Sequence, residues 1–286
     1  MAEADRSDQT AGVVLVYRPP ADVVENVEKL LAQVSWVYVV DNSPGEAVTV
    51  MDRLAANPRV TVLEQDGNVG VAAGFNAGMR AALADGFGFV WIFDQDSTIT
   101  ERMHQKLQDA RRNAVVDVGI VGPALRAAET GRVYDNERGI GTAPREVLIS
   151  SGALFSRELL EKIGFHDEAL FIDYVDHDIS LRANRAGFTN LKVFDTLLDH
   201  RFGDSEPTPF LGRKVYLSNY SPMRLFYSAR NRIIVLRRYG GGPWFREDIG
   251  FTLRALAKML LAERGRPKKI GAFLRGCRAG LRYRGL

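Results

Sequence analysis

Short apolar, β-branched runs alternate with helix-spaced segments through the first 125 residues, and few architectures accommodate that rhythm. Val13–Tyr17, Trp36–Val40, Val60–Leu63 and Phe89–Phe93 read as strands, while Ala21–Gln33 and Val71–Ala84 carry apolar or small residues at helical spacing. Strand, helix, strand in this order implies right-handed crossovers and a mostly parallel sheet covered on both faces. Such sheets bind ligands at the carboxyl ends of their strands, and Asp41 and Asp94 each stand at one. From Gly119 to Arg157 the pattern is irregular, with short, mixed strands expected. Glu158–Ile163 and Asp176–Ala186 read as helices, Asp204–Pro209 as a linker, and the basic remainder as further helices. The expected organisation is a frayed start over 1–10, an α/β domain over 11–205 and a basic helical region over 206–286.

Charge divides along the same line. Residues 1–200 hold 19 Lys and Arg against 30 Asp and Glu, a balance of −11, whereas residues 201–286 hold 19 against 5, a balance of +14. Gathered carboxylates call for a cation and a phosphate-rich ligand, and gathered cations for an anionic surface, lipid or nucleic acid. The single Cys277 excludes an internal disulfide and a cysteine-based zinc cluster. No apolar run approaches the roughly 18 residues of a membrane span, and the polar start MAEADRSDQT is no secretory signal. A cytoplasmic location is expected, with peripheral attachment to the inner face of the plasma membrane.

Three clusters carry the chemistry. Asp94-Gln95-Asp96-Ser97 leaves an apolar strand, so two carboxylates two apart can turn toward one point. Oxygen ligands suit Mg²⁺ or Mn²⁺, which complete their shells with substrate phosphates; the plain alternative is a turn with aspartate acceptors. Asn68-Val-Gly70-Val-Ala-Ala-Gly74-Phe-Asn76-Ala-Gly78 allows a helix start to approach an anion, or allows tight helix–sheet packing. Its glycine spacing is not that of a dinucleotide fingerprint, which excludes a nicotinamide oxidoreductase of that type. Asp173, Asp176 and Asp178 crowd within six residues, a costly arrangement unless a cation or a catalytic duty offsets it, although first-turn carboxylates also favour a helix dipole. His200, one of four histidines, gains meaning only beside Asp96.

Taken in order and spacing over residues 12–240, these motifs resemble glycosyltransferase family 2, and its rhamnosyltransferase branch through Phe-Ile-Asp-Tyr-Val-Asp at 171–176 and Ser221-Pro-Met-Arg-Leu-Phe-Tyr227-Ser-Ala-Arg230-Asn231. The resemblance implies a GT-A nucleotide-sugar-binding fold with a Rossmann-like sheet. It implies donor contacts from Tyr17, Asp41, Asn68, Gly70, Gly74, Asn76, Asp94 and Asp96, with Asp96 and His200 on Mn²⁺ or Mg²⁺. Ser151, Gly152, Asp173 and Tyr174 fall on the acceptor side, and Arg224 and Arg230 on a phosphate or lipid head group. Asp176 matches the base that deprotonates an acceptor hydroxyl during an inverting displacement. The donor implied is a dTDP- or UDP-sugar, best dTDP-L-rhamnose, and the acceptor a glycan or polyprenyl-diphosphate-linked saccharide of bacterial surface polysaccharide. Phe226-Tyr227 replaces the branch's usual Tyr-Tyr, and Gln95 sits inside the Asp-x-Asp.

Rival readings are a sugar nucleotidyltransferase, whose Gly-rich loop is absent after Tyr17-Arg18-Pro19-Pro20, and a non-catalytic membrane-surface binding protein. Leu225, Phe226, Ile233, Ile234, Leu256, Leu260 and Phe273 among the C-terminal Arg and Lys fit a basic amphipathic surface for anionic membrane. The same stripe could instead pack on the catalytic domain. No nucleic-acid recognition motif accompanies the charge, and no nucleic-acid partner is expected.

Overall fold

The computed structural model describes residues 6–128, 130–133, 137–200, 206–210, 213–217 and 219–285. The first unit, residues 1–171 and 175–200, is built on an eight-stranded sheet of order β3-β2-β1-β4-β7-β5-β8-β6. Its strands are β1 (Thr10–Val16), β2 (Trp36–Asp41), β3 (Val60–Glu64), β4 (Phe89–Asp94), β5 (Val118–Ala127), β6 (Thr142–Arg145), β7 (Leu154–Ser156) and β8 (Thr189–His200). β3, β2, β1 and β4 run parallel, as do β5 and β8; β7 and β6 are antiparallel to their neighbours. The sheet is therefore mostly parallel, as the alternating rhythm requires.

Both faces are filled. Val14 and Val16 of β1 point into one apolar layer with Val23, Val27 and Leu30 of α1 (Val23–Leu31). Val13 and Leu15 point into the other, with Phe75 and Met79 of α3 (Gly70–Ala84). Because side chains alternate along a strand, β1 has no solvated face and reads as a continuous run of valine and leucine. Gly74 and Gly78 bring α3 against β1: a Cβ on either would sit 2.4 Å from Leu15 or Val13. Close packing thus accounts for these two glycines, and the donor contact expected of Gly74 gives way to that role.

α2 (Val48–Ala55) and α4 (Met103–Arg112) were not expected from the sequence. α4 buries only Met103, Leu107 and Gln108 on an otherwise charged helix, so its apolar period is too sparse to stand out. α5 (Arg157–Ile163) and α6 (Val175–Arg185) complete the unit. The frayed start expected over 1–10 is corrected at its inner end. Thr10 already belongs to β1, and the turn at 6–9 is held by Gly88 N donating to Arg6 O and Gln9 O. Residues 1–5 lie outside the described residues.

The second unit comprises residues 172–174 and 201–286. A hairpin of β9 (Glu206–Phe210) and β10 (Arg213–Leu217) precedes α7 (Pro222–Tyr239), α8 (Pro243–Ala262) and α9 (Arg266–Arg282). The described part of the expected 204–209 linker is therefore strand. Pro207 and Pro209 are tolerated because a two-stranded ladder is all edge. No described helix is long and apolar enough to cross a membrane.

Candidate metal and catalytic centre

The parallel register brings two carboxylates level with the end of β1. Leu15 aligns with Asp94 on one side and Val16 with Asp41 on the other. Strand order reverses here, β2 and β3 lying to one side of β1 and β4 to the other, which opens a crevice at the carboxyl ends. Asp41, 2 % exposed, accepts from Ser43 N at 2.8 Å and Ser43 Oγ at 3.2 Å, and Ser43 Oγ in turn accepts from Arg18 N at 2.7 Å. Asp41 therefore folds the loop that follows it. Tyr17 is left with an exposed ring while its N–H donates to Gln95 Oε1 at 2.8 Å. Gln95, unusual inside an Asp-x-Asp, thus ties the end of β1 to the acidic turn, and its carbonyl accepts from Asn26 Nδ2.

His200 joins this turn from 103 residues beyond Ser97. β8 is carried there by its pairing with β5 and by a two-way backbone bridge between Thr98 and Asp199. Arg126 holds Asp199 through two bonds of 2.5 and 2.7 Å. His200 Nδ1 then lies 2.8 Å from Ser97 Oγ and 3.7 Å from Asp96 Oδ1. Ser97 Oγ also meets Ser151 Oγ at 2.7 Å, and Ser151 Oγ accepts from Asp94 N at 3.1 Å. Ligand atoms from Asp94, Asp96 and His200 all fall within 4.8 Å of one another, each residue partly exposed. Two carboxylates and an imidazole, with hydroxyls oriented around them, form a donor set that fits a divalent cation of intermediate hardness. Ser97 and the Thr98–Asp199 bridge were not picked out in the sequence; only the polar turn after Asp96 hinted at the first.

Ser151 links this centre to the second acidic cluster. Its neighbour Ser150 lies 3.5 Å from His166 Nε2 through Oγ, and Leu148 N donates to Ser180 Oγ of α6 at 3.2 Å. One segment, 148–152, therefore touches both the acidic turn and the helix that carries Asp176. His166 is buried between Phe75 and Phe155, and burial together with Arg182 pushes its imidazole down to about 3, so it is neutral, although Asp176 pulls the other way. Asp176 opens α6 with its side chain 21 % exposed. Burial pushes its carboxyl up, but His177 outweighs this through its charge and through N–H and Nδ1 contacts to Oδ1, both at 2.9 Å. The net position is below the ordinary carboxylate range, so Asp176 is ionised at neutral pH. Asp178 is 1 % exposed and paired with Arg182 at 3.2 Å, a structural ion pair.

Several residues singled out in the sequence have other partners in the structure. The N–H groups at the start of α3 do not face an anion: Gly70 N donates to Asn68 Oδ1, and Val71 N and Ala72 N to Phe171 O. Asn68 and Gly70 thus seal the helix start, where the Phe171 ring lies so close that a Cβ on Gly70 would sit 2.4 Å from it. Asn76 is fully buried, its amide shared between His166 and Glu168, so it positions that loop. Gly152 has φ +79° and packs under Leu198 and Pro123, while its carbonyl accepts from Trp91 Nε1. It sets the turn that presents Ser151. Asp173 and Tyr174 belong to the second unit, where Asp173 bonds Arg224 at 3.2 Å and Tyr174 Oη bonds Asp248 at 2.5 Å. Tyr174 is buried, and Arg224 stacks on Tyr220 and Arg230 on Tyr227, beside a bond from Arg230 Nε to Asn231 Oδ1. These polar groups serve the helical unit.

Asn42 escaped sequence reading altogether. It is 3 % exposed, accepts from Val69 N and donates to Gly70 O and Asn68 Oδ1, clamping the start of α3 to the end of β2. Asn42→Ala strands these buried groups and is expected to cost about 1–3 kcal/mol. A denaturant melt checks this, and an unchanged midpoint would deny the clamp.

The comparisons bear on the whole chain. The profile of Glycosyl transferase family 2 matches residues 13–164. The dTDP-rhamnosyl transferase RfbF of Shigella flexneri is 30% identical over 244 residues, 79% of each chain. The galactofuranosyltransferase GlfT1 of Mycobacterium tuberculosis is 27% identical over 96% of each. Among solved structures, S. aureus TarS 1–349 in complex with UDP-GlcNAc superposes with a TM-score of 0.63 at 15% identity, covering 94% of this chain and 81% of that one. The last comparison speaks to the fold, which is GT-A.

Proposed function

This chain belongs to glycosyl transferase family 2, and from that membership we propose that it is an inverting transferase moving L-rhamnose from a dTDP donor to a hydroxyl of a glycan or lipid-linked acceptor. The observation that carries the proposal is the convergence of Asp94, Asp96 and His200 at the sheet's switch point, joined through Ser151 to the segment packed on the helix of Asp176. The relative that acts from dTDP-rhamnose favours that donor over others. The imidazole favours Mn²⁺ over Mg²⁺, since magnesium prefers oxygen alone. A cation held there supplies charge neutralisation for the departing nucleoside diphosphate.

The protein's own groups divide the remaining work. Tyr17 offers an exposed ring to the base and Asp41 an acceptor near the ribose, while Ser97 and Ser151 fix the orientation of His200 and Asp94. Asp176 Oδ1 is occupied by His177, and the carboxylate accepts the proton of the attacking hydroxyl.

The depressed Asp176 carboxyl sets a pH dependence. The basic form persists above its native titration, so the rate falls only as pH drops below the ordinary aspartate value of about 4. His177→Ala removes the imidazole's charge and its Nδ1 contact but keeps the N–H of residue 177, so burial counts for more and the acid limb of kcat is expected to shift upward. An unmoved limb would release His177 from this role.

A thermal-shift screen of nucleoside diphosphates with and without Mn²⁺ tests the donor class. Stabilisation of about 2.7 kcal/mol is expected for dTDP at a hundred times its Kd. Preference for UDP would replace the rhamnosyl donor with a UDP-sugar, and no metal-dependent nucleotide binding would remove the transferase mechanism as drawn.

A further inference from the structure

In the second unit, exposed apolar side chains gather on two helices. Among the described residues, eight of the thirteen large hydrophobics that stand exposed lie between Met223 and Leu281. Leu253, Leu260 and Leu261 stand out from α8, and Ile270, Leu274 and Leu281 from α9, with Leu261, Leu274 and Leu281 each above 60 % exposed. Scattered exposed leucines need no explanation, but a stripe at helical spacing on a helix that is already packed does.

α9 is such a helix. Its inner face is Ala272, Gly276 and Gly280, and a Cβ added to either glycine would meet a carbonyl of α7, Phe226 O at 2.3 Å or Arg230 O at 2.5 Å. Backbone lies against backbone, so the rotation of α9 is fixed. Ile270, Leu274 and Leu281, spaced four and seven apart, form a second face turned to solvent. Lys268, Arg275, Arg278 and Arg282 form a third, also exposed. Around the α8–α9 turn, Leu260, Leu261 and Ile270 are interleaved with exposed Arg264, Arg266 and Lys268. Residues 249–286 contain ten Lys and Arg and one acid. That acid, Glu263, is 5 % exposed and bonded to Lys269 at 2.5 Å, so the surface itself is cationic.

We propose that the α8–α9 turn and the outer face of α9 form an interfacial element that seats its leucines in an anionic lipid bilayer surface while the flanking arginines and lysines engage the head groups. Aliphatic chains with adjacent cations match the acyl–head-group boundary. Leucine and isoleucine offer no stacking platform for nucleobases, which disfavours a nucleic acid. Two copies meeting through the same face would oppose like charges across a two-fold axis, which disfavours self-association. The proposal does not depend on the sugar transferred.

Flotation of the full-length chain with phosphatidylcholine vesicles, with and without equimolar phosphatidylglycerol, tests it. Binding is expected only to the anionic vesicles and to weaken with salt. The double variant Leu261→Glu/Leu274→Glu is expected to lower that affinity about tenfold or more, with melting temperature and transfer to a short water-soluble acceptor unchanged. Arg275→Glu/Arg278→Glu, which leaves every apolar residue in place, serves as an independent variant with the same expected loss. Equal binding to neutral vesicles, no vesicle binding, undiminished binding by both variants, or a concentration-dependent dimer lost in the variants would each overturn the assignment.

Discussion

Asp176→Asn is expected to lower the transfer rate by about a hundred- to ten-thousand-fold, the usual worth of a positioned general base, while leaving donor binding intact. The substitution keeps the side chain's shape and an oxygen to accept from His177 N, so the local fold has little reason to change. What it removes is the negative charge that His177 helps to maintain against burial. Asp178→Asn provides the contrast. That residue is almost fully buried against Arg182, and breaking one half of a buried pair costs about 3–5 kcal/mol of stability. A kinetic loss with an unchanged melt for the first variant, and a lowered melt for the second, would separate catalysis from architecture within one turn of helix. Wild-type turnover by Asp176→Asn would withdraw the base.

Asp96→Ala is expected to reduce transfer by about a hundred- to a thousand-fold and to abolish the Mn²⁺-dependent part of nucleotide stabilisation. The three ligand atoms lie within 4.8 Å, and removing one leaves an incomplete set for an ion that binds through few protein groups. Chelation of the wild-type protein should reproduce the kinetic loss, and adding Mn²⁺ should restore the wild type but not the variant. Equal nucleotide binding before and after chelation would show that the trio holds no functional cation. Ser97→Ala should fall between the two, since it leaves all three ligands and removes only the hydroxyl bridging His200 and Ser151.

The parallel half of the sheet was readable because β1, β2 and β4 are buried on both faces and appear as unbroken apolar runs. The antiparallel β6 and β7 were expected only as short, mixed strands somewhere in 119–157 and were not placed, being four and three residues long and specified by partners distant in sequence. At the site, Asp94 and Asp96 were legible from their place after a strand. The approach of His200 depended on β5–β8 pairing and an Arg126–Asp199 bond, neither of which has a local signature. The Gly-rich stretch stayed open between two readings for a different reason. Small residues look the same whether they admit a ligand or a neighbouring strand, and only the positions of Leu15, Val13 and Phe171 decide between them. Asn42 and Gln95 carry no signal until the loops they fasten are in place.

The alignment of β1 with its two neighbours has an evolutionary corollary. Sliding β4 by a single residue would turn Asp94 toward the opposite layer and drive Val90, Trp91, Ile92 and Phe93 out of the layers they fill. The barrier against misplacing one carboxylate is therefore borne by the whole hydrocarbon interior. Substitutions at the crests of the loops are therefore expected to be tolerated far more readily than any shift of the ledge from which the acids hang.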